Sequence, residues 1–338
     1  MPLRKRSSLW AMKHSNISVF VPHIGCPHLC SFCDQRTISG AQHLPDGDEV
    51  RAVCSQALAE VRSPENTEIA FFGGSFTAIH EDYMLELLGA AKDFVGEGKF
   101  RGIRCSTRPD CIDRRVLALL KEYGVTAIEL GAQSMDEEVL RANERGHSAE
   151  DVVNACGLIR EYGFELGLQM MTGLYKSSTE KDLATFRKLA ELKPDTLRIY
   201  PVVILSGTKL AELYLSGEYV PYSFEEAVEI CSEMLGEAEK LGIRVIKCGL
   251  HASEFVEQDM VGGFYHPAFR ELCESRIYLR RIEQLAGDCS FLKIAVPARD
   301  ISKAVGHGRS NILKMKEKGV ELKIAPAADG SITIIERR

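Results

Sequence analysis

Cys26, Cys30 and Cys33 crowd three thiols into one short stretch, Gly25-Cys26-Pro27-His28-Leu29-Cys30-Ser31-Phe32-Cys33. Thiolates this close converge on a metal centre, and the set suits either an iron-sulfur cluster or zinc. With three ligands rather than four, one iron of a cubane cluster keeps an open position that can bind a further molecule. Zinc would complete its tetrahedron with His23 or His28. A disulfide framework fits poorly, because the chain has eleven cysteines, an odd number, and no second tight group of them. The basic start Arg4-Lys5-Arg6 leads into polar residues instead of an apolar signal core, and no run is apolar enough to span a bilayer. The expectation is a reduced, cytoplasmic protein with no membrane partner.

The elements that must position this loop are legible as alternation. Short apolar runs read as buried strands at 17–22, 67–72, 102–106, 126–130, 164–170, 196–203 and 243–248, with helical periodicity at 49–61, 81–94, 113–123, 149–162, 179–192 and 224–241. Gly124, Gly163 and Gly242 stand where left-handed helix caps are expected. Successive β-α units of this kind predict an α/β fold, a parallel (β/α) barrel that is partial or closed, with a doubly wound open sheet second. Loops at the carboxyl ends of the strands then share one face, and the polar motifs fall there. The cysteine loop follows the first strand, Gly73-Gly74-Ser75-Phe76-Thr77 the second, Thr107-Arg108-Pro109-Asp110 the third and Gly131-Ala132-Gln133-Ser134 the fourth.

Gly73 and Gly74 let backbone approach a ligand closely. Ser75 offers a hydroxyl or caps the next segment. Gln133 can hydrogen-bond to ribose hydroxyls or cap a helix, and Arg145 can fork onto a carboxylate or pair with Glu144.

The Cys-x3-Cys-x2-Cys spacing resembles the signature of the radical S-adenosylmethionine (SAM) superfamily. That resemblance implies a [4Fe-4S] cluster on Cys26, Cys30 and Cys33, SAM bound at the open iron, its reductive cleavage to a 5'-deoxyadenosyl radical, and an electron donor such as a ferredoxin or flavodoxin. It also implies SAM contacts from Gly73, Gly74 and Ser75, where Ser75 replaces the usual acidic residue, and from Gln133 and Arg145. The words Pro22-His23-Ile24-Gly25-Cys26-Pro27-His28, Phe72-Gly73-Gly74-Ser75-Phe76-Thr77, Ser106-Thr107-Arg108-Pro109-Asp110, Glu129-Leu130-Gly131-Ala132-Gln133-Ser134 and Arg145-Gly146-His147 further resemble the radical SAM half of the Elongator catalytic subunit. That likeness implies modification of uridine in transfer RNA. The Gln133 and Arg145 neighbourhoods also resemble oxygen-independent coproporphyrinogen oxidase. Elongator's subunit continues into an acetyltransferase domain, for which the chain beyond residue 285 is too short.

Residues 286–338 change character. Strands are expected at 291–296, 320–324 and 332–335, helices at 301–305 and 310–318, and between the helices lies Gly306-His307-Gly308-Arg309. This turn resembles the loop by which KH modules grip single-stranded RNA, with glycines permitting close approach to phosphate. Within 291–324 the local charge is +5, in a chain whose net charge is −6. The reading is a radical SAM barrel with its extension over residues 1–285 and a KH-like RNA-binding module over 286–338. Its expected substrate is RNA of the transfer-RNA kind. Two alternatives are a radical SAM enzyme for a small, porphyrin-like molecule and a non-catalytic RNA-binding zinc protein. Tyr200, near the end of the sixth strand, and Tyr265 and His266, in an aromatic segment at 262–272, are assigned no role.

Overall fold

The computed structural model describes residues 15–21, 26, 28–34, 43–250, 254–327, 330 and 332–338. His23, Gly25 and Pro27 of the cysteine loop's motif lie outside the described residues. Seven parallel strands lie side by side in sequence order. They are β1 (Ser15–Val21), β2 (Thr67–Gly73), β3 (Gly102–Thr107), β4 (Val125–Gln133), β5 (Glu165–Thr172), β6 (Thr196–Pro201) and, after the short β7 (Val203–Leu205), β8 (Arg244–Cys248). β1 and β8 each pair with one neighbour among the described residues. The sheet is therefore a curled, partial barrel, and the predicted α/β architecture holds in its open form. Helices Gly47–Glu60, Glu81–Lys92, Arg114–Glu122, Ala149–Glu161, Thr179–Glu191 and Phe224–Leu241 fill the crossovers. Reciprocal capping boxes at Asp46/Glu49, Ser148/Asp151 and Ser223/Glu226 start three of them, and Gly242 ends the last in a left-handed cap.

Because side chains alternate along a strand, the two faces of the sheet differ in kind. Ile69, Phe71, Ile103, Cys105, Ile128, Leu130, Leu166, Leu168, Leu197 and Ile199 are buried in the core that the helices cover. The opposite face is polar. Arg104, with no exposed side-chain surface, donates to Glu68 at 2.8 Å, Glu129 at 3.2 Å and Glu165 at 2.6 Å. Arg198 forks onto Glu129 at 2.8 and 3.0 Å and lies over the Phe72 ring. Glu129 and Arg198 meet across β5 because Gly167 stands between them. A Cβ at 167 would lie 2.7 Å from Cγ of Glu129.

The remaining elements extend the barrel. β7 pairs antiparallel with β9 (Met260–Gly263). The segment 262–272 does not remain an irregular aromatic stretch, since Phe269 opens a helix running to Ala286. Tyr278, Leu279, Ile282 and Ala286 on that helix form the floor of a second core. Above it sit β10 (Phe291–Pro297), the short helices Ile301–Val305 and Ser310–Glu317, β11 (Glu321–Ala327) and β12 (Thr333–Arg337). β10 pairs parallel with β11 and antiparallel with β12.

The loop after β5 is held by one buried carboxylate. Asp182 accepts from Gly173 N at 2.7 Å, Ser177 Oγ at 2.5 Å and Tyr222 Oη at 2.9 Å. Burial outweighs these donors and pushes its pKa up to about 6 from 3.8. Between those values the folded chain keeps a proton that the unfolded chain has released, so stability falls as pH rises through that window. The urea midpoint of wild type relative to Asp182→Asn is expected to drop from pH 4 to pH 7. A flat difference would show that the carboxyl titrates normally.

Candidate active site

The cysteine loop begins where β1 ends, and the fold ties it down at several points. Ser31 N donates to Asn143 O at 3.1 Å and Ser31 Oγ to Asn143 Oδ1 at 2.8 Å. Leu210 N donates to Ser31 O at 2.7 Å. Phe32 is buried in a satellite core with Val139, Leu174, Ile204 and Leu210, against which Cys30 and Cys33 pack. The loop is thus gripped from three sides, which fixes where its thiols stand.

Two arginines reach Cys30. Arg145 Nη1 donates to Cys30 Sγ at 3.0 Å and its Nη2 to Gly131 O at 2.5 Å. Arg108 Nη1 stands 3.9 Å from the same sulfur. Arg108 forks onto Asp110 at 2.9 Å through Nε and Nη2, and also donates to Arg145 O. Burial works against the Arg108 charge, but Asp110 outweighs it. Burial and neighbouring Cys30 push the Cys26 thiol up, while Ser75 N–H, Arg108 and Arg145 favour its thiolate. Cations beside thiolates offset part of the charge that several converging sulfurs build up.

Around these residues the backbone is opened by glycine. Gly73 has φ +125°, and a Cβ there would lie 2.3 Å from Val21 O, so only glycine lets β1 and β2 end this close together. Ser75 Oγ bonds to Thr107 Oγ1 at 2.8 Å and accepts from Arg108 N at 3.3 Å, and it makes no side-chain cap to the following 3-10 turn. Its hydroxyl joins the second and third strand loops. At Gly131 a Cβ would lie 3.0 Å from Gln133 Nε2 and 3.6 Å from Arg145 Nη2. The two predicted residues therefore converge over one glycine.

Gln133 neither caps a helix nor faces solvent. It is 6% exposed, left-handed at φ +63°, and its Oε1 is buried without a partner among the described residues. A buried amide oxygen without a partner on a left-handed backbone is uncommon in a folded chain. Arg145 is 5% exposed, and its Nε is likewise unpartnered among the described residues. Glu144 pairs with Lys209 instead of Arg145.

Sequence reasoning gave no role to Arg108 or His147, and took His28 as a candidate zinc ligand. Only Gly146 leaves room for the His28 ring, since a Cβ at 146 would stand 2.2 Å from it. His147 Nε2 lies 3.2 Å from Ala132 O. Burial first, then Arg145 and Arg108, push the His147 pKa down to about 4, so the ring is neutral near pH 7. Cys111 also stands near Cys26 and Ser75, outside the cysteine loop.

Cys30 lies beside two guanidiniums and orphaned buried polar atoms stand near Gly131, but among the described residues no three Cys, His, Asp or Glu side chains are gathered as a metal site, so the loop supplies the donor types of a cluster without their convergence. The sequence profile of the radical SAM superfamily matches residues 20–190. This chain belongs to the radical SAM superfamily.

The cofactors of this radical SAM protein are accordingly a [4Fe-4S] cluster and SAM. The profile of the radical SAM C-terminal domain matches residues 194–279. Among curated relatives, the tRNA uridine(34) acetyltransferase of Methanocaldococcus jannaschii is 39% identical over 199 residues, 52% of this chain and 37% of that protein. Human Elongator complex protein 3 is 33% identical over 193 residues, 51% of this chain and 35% of that protein. The chain thus spans little more than a third of the length of these relatives. In fold it is similar to the archaeal Methanocaldococcus infernus Elp3 with its N-terminus deleted, with a TM-score of 0.56 and 23% identity over 72% of this chain and 61% of that one. It is also similar to methylornithine synthase, with a TM-score of 0.50 and 15% identity over 80% and 82% of the two chains.

The second predicted site lies apart. His307, Gly308 and Arg309 are exposed. Gly306, Gly308 and Arg309 all have positive φ, and the His307 ring meets His266 edge-on, with centroids 5.7 Å apart. His266 in turn packs on Phe224. Asn311, missed in the sequence, pins this turn by donating to Ser275 O at 2.9 Å and to Lys303 O and Ala304 O at 3.1 Å. No described helix is long and apolar enough to cross a membrane.

Proposed function

We propose that this protein is a radical SAM enzyme that modifies RNA of the transfer-RNA kind, with Cys26, Cys30 and Cys33 as the cluster ligands. When bound, the cluster supplies one-electron cleavage of SAM, drawing on a donor such as a ferredoxin or flavodoxin. Arg145 and Arg108 orient and offset the charge of Cys30, and Gln133, Gly73, Gly74 and Ser75 form the walls that SAM would meet.

The observation that carries the RNA reading is the turn Gly306–Arg309, exposed from His307 to Arg309 and joined to the barrel through the His307–His266 contact. Arg309 and Lys316 are exposed and have no ion pair among the described residues, so their charge is available to phosphate. The similarity to transfer-RNA uridine acetyltransferases points to the same substrate class. The test is deoxyadenosine release by anaerobically reconstituted, dithionite-reduced protein given SAM, with and without total cellular RNA. Release is expected to rise with RNA, and Gly308→Asp, which places a carboxylate in the turn, is expected to abolish that rise while leaving the RNA-free rate intact. Release indifferent to RNA would overturn the RNA reading in favour of a small molecule.

A further inference from the structure

Among the described residues, the linked ion pairs on the polar face of the sheet join Glu68, Glu129 and Glu165 to Arg101, Arg104 and Arg198. Two cations of β8 on that face, Arg244 and Lys247, stand outside those pairs. Lys247 on β8 is in register with Arg198 on β6, so both side chains leave the sheet on the same side. Yet Lys247 is half-buried and has no hydrogen bond or ion pair among the described residues. Arg270, the other cation nearby, is taken up by Glu274 at 2.9 Å and Val245 O at 2.6 Å.

The strand register places Lys247 relative to the cofactor cradle. Gly131 pairs with Gln169, Gln169 with Arg198 and Arg198 with Lys247, one row across β4, β5, β6 and β8. Three interstrand steps separate the ends, about 14 Å. One end of the row is the glycine over which Gln133 and Arg145 converge. The other is a pair of adjacent cations on the same face, beyond the reach of the cluster loop. Glu129 already joins Arg198, which leaves Lys247 as the ammonium of this row with no anion of its own among the described residues. Consistent with this, burial, Arg198 and Arg270 pull the Lys247 ammonium below the ordinary lysine range.

We infer that Lys247, beside Arg198, is an anion subsite on the polar face of the sheet, and that it takes a phosphate group of the molecule being modified. The choice of phosphate rests on the RNA reading above. The existence of the anion subsite rests on the unpaired lysine and the register alone. Lys247 is a specificity residue, holding one end of the substrate while the other lies at the Gly131 cradle.

The experiment uses the anaerobically reconstituted full chain and inorganic pyrophosphate as probe. Trace acetylation with acetic anhydride, read by peptide mass spectrometry, is expected to slow at Lys247 by about fivefold or more when pyrophosphate is present, because a lysine held by an anion stays protonated. Exposed Lys240 serves as the internal control and is expected to be unchanged. By calorimetry, Lys247→Met is expected to weaken pyrophosphate binding roughly tenfold or more, the worth of one charge-assisted contact, while Lys247→Arg retains it. A Lys247 acetylation rate that pyrophosphate does not alter in the wild-type chain would overturn the inference, whether or not the variants fold. Repeating the protection with a short oligouridylate and with ADP identifies the source: the oligomer points to backbone phosphate, ADP alone to a nucleotide phosphate. If RNA fails to stimulate deoxyadenosine release but pyrophosphate still protects Lys247, the RNA reading falls and the anion subsite stands.

Discussion

Replacing any one of Cys26, Cys30 or Cys33 by Ala is expected to leave a purified protein with little iron or sulfide after anaerobic reconstitution and no deoxyadenosine above the protein-free blank. A cluster held by three thiolates loses a third of its protein ligands with each substitution, and the remaining two cannot hold it against solvent and chelators. The geometry adds a graded series. Arg145→Met removes the 3.0 Å bond to Cys30 Sγ but no ligand, and is expected to lower cluster retention or cleavage rate by about 10- to 100-fold, the usual cost of losing a partner behind a ligand. Cys111→Ser alters a thiol near Cys26 that lies outside the loop, and is expected to keep iron, sulfide and cleavage. Full cleavage by a Cys30→Ala protein, or zinc without iron in wild type, would sink the cluster assignment.

The second large effect is on stability. Arg104→Met is expected to cost about 3–5 kcal/mol, because it strands the carboxylates Glu68 and Glu129 in a site from which water is excluded. Glu68 and Arg104 have no exposed side-chain surface, and Glu129 only 3%. Burial opposes the Arg104 charge, but Glu129, Glu68 and Glu165 together hold it firmly protonated. Glu129 would still have Arg198 at 2.8 Å, and Glu68, which also accepts from the Thr126 hydroxyl at 3.0 Å, would lose its buried guanidinium partner. Equilibrium urea unfolding with a reversible, two-state transition is the measurement. A loss under about 1 kcal/mol, the worth of an exposed ion pair, would show that water reaches the network. Arg101→Met, which touches only the rim of the same network at Glu165 with a 44% exposed side chain, is the control and is expected to cost little.

Much of this architecture was legible in the chain because its signals are local. Apolar runs of strand length, helical stretches between them and glycine after the last periodic residue are satisfied within a few residues of each other, so the β-α alternation survives in the fold with shifted ends. Where the ends moved, tertiary pairing decided. β4 runs on from Leu130 to Gln133 because Gln133 finds a partner in Met170 of β5 across a register shift. The stretch 196–203 breaks after Pro201, and Val203 pairs instead with Gly263. The helix Phe269–Ala286 was hidden by the aromatic residues before it, whose contacts with Phe224 appear only once two distant segments pack.

The site divides the same way. The three cysteines, the glycines and the basic turn are contiguous words, so spacing picks them out, while the chemistry expected of them comes from a resemblance. The tertiary structure decided that Arg145 reaches Cys30, 115 positions away, in place of adjacent Glu144. It also brought Gln133 and Arg145 over Gly131. Parallel strands join residues far apart in sequence, and which residues share a face depends on register, a sum of many small packing preferences that no short word encodes. For that reason the ion-pair network of Arg104, and Lys247 outside it, became visible only when the seven strands were laid side by side.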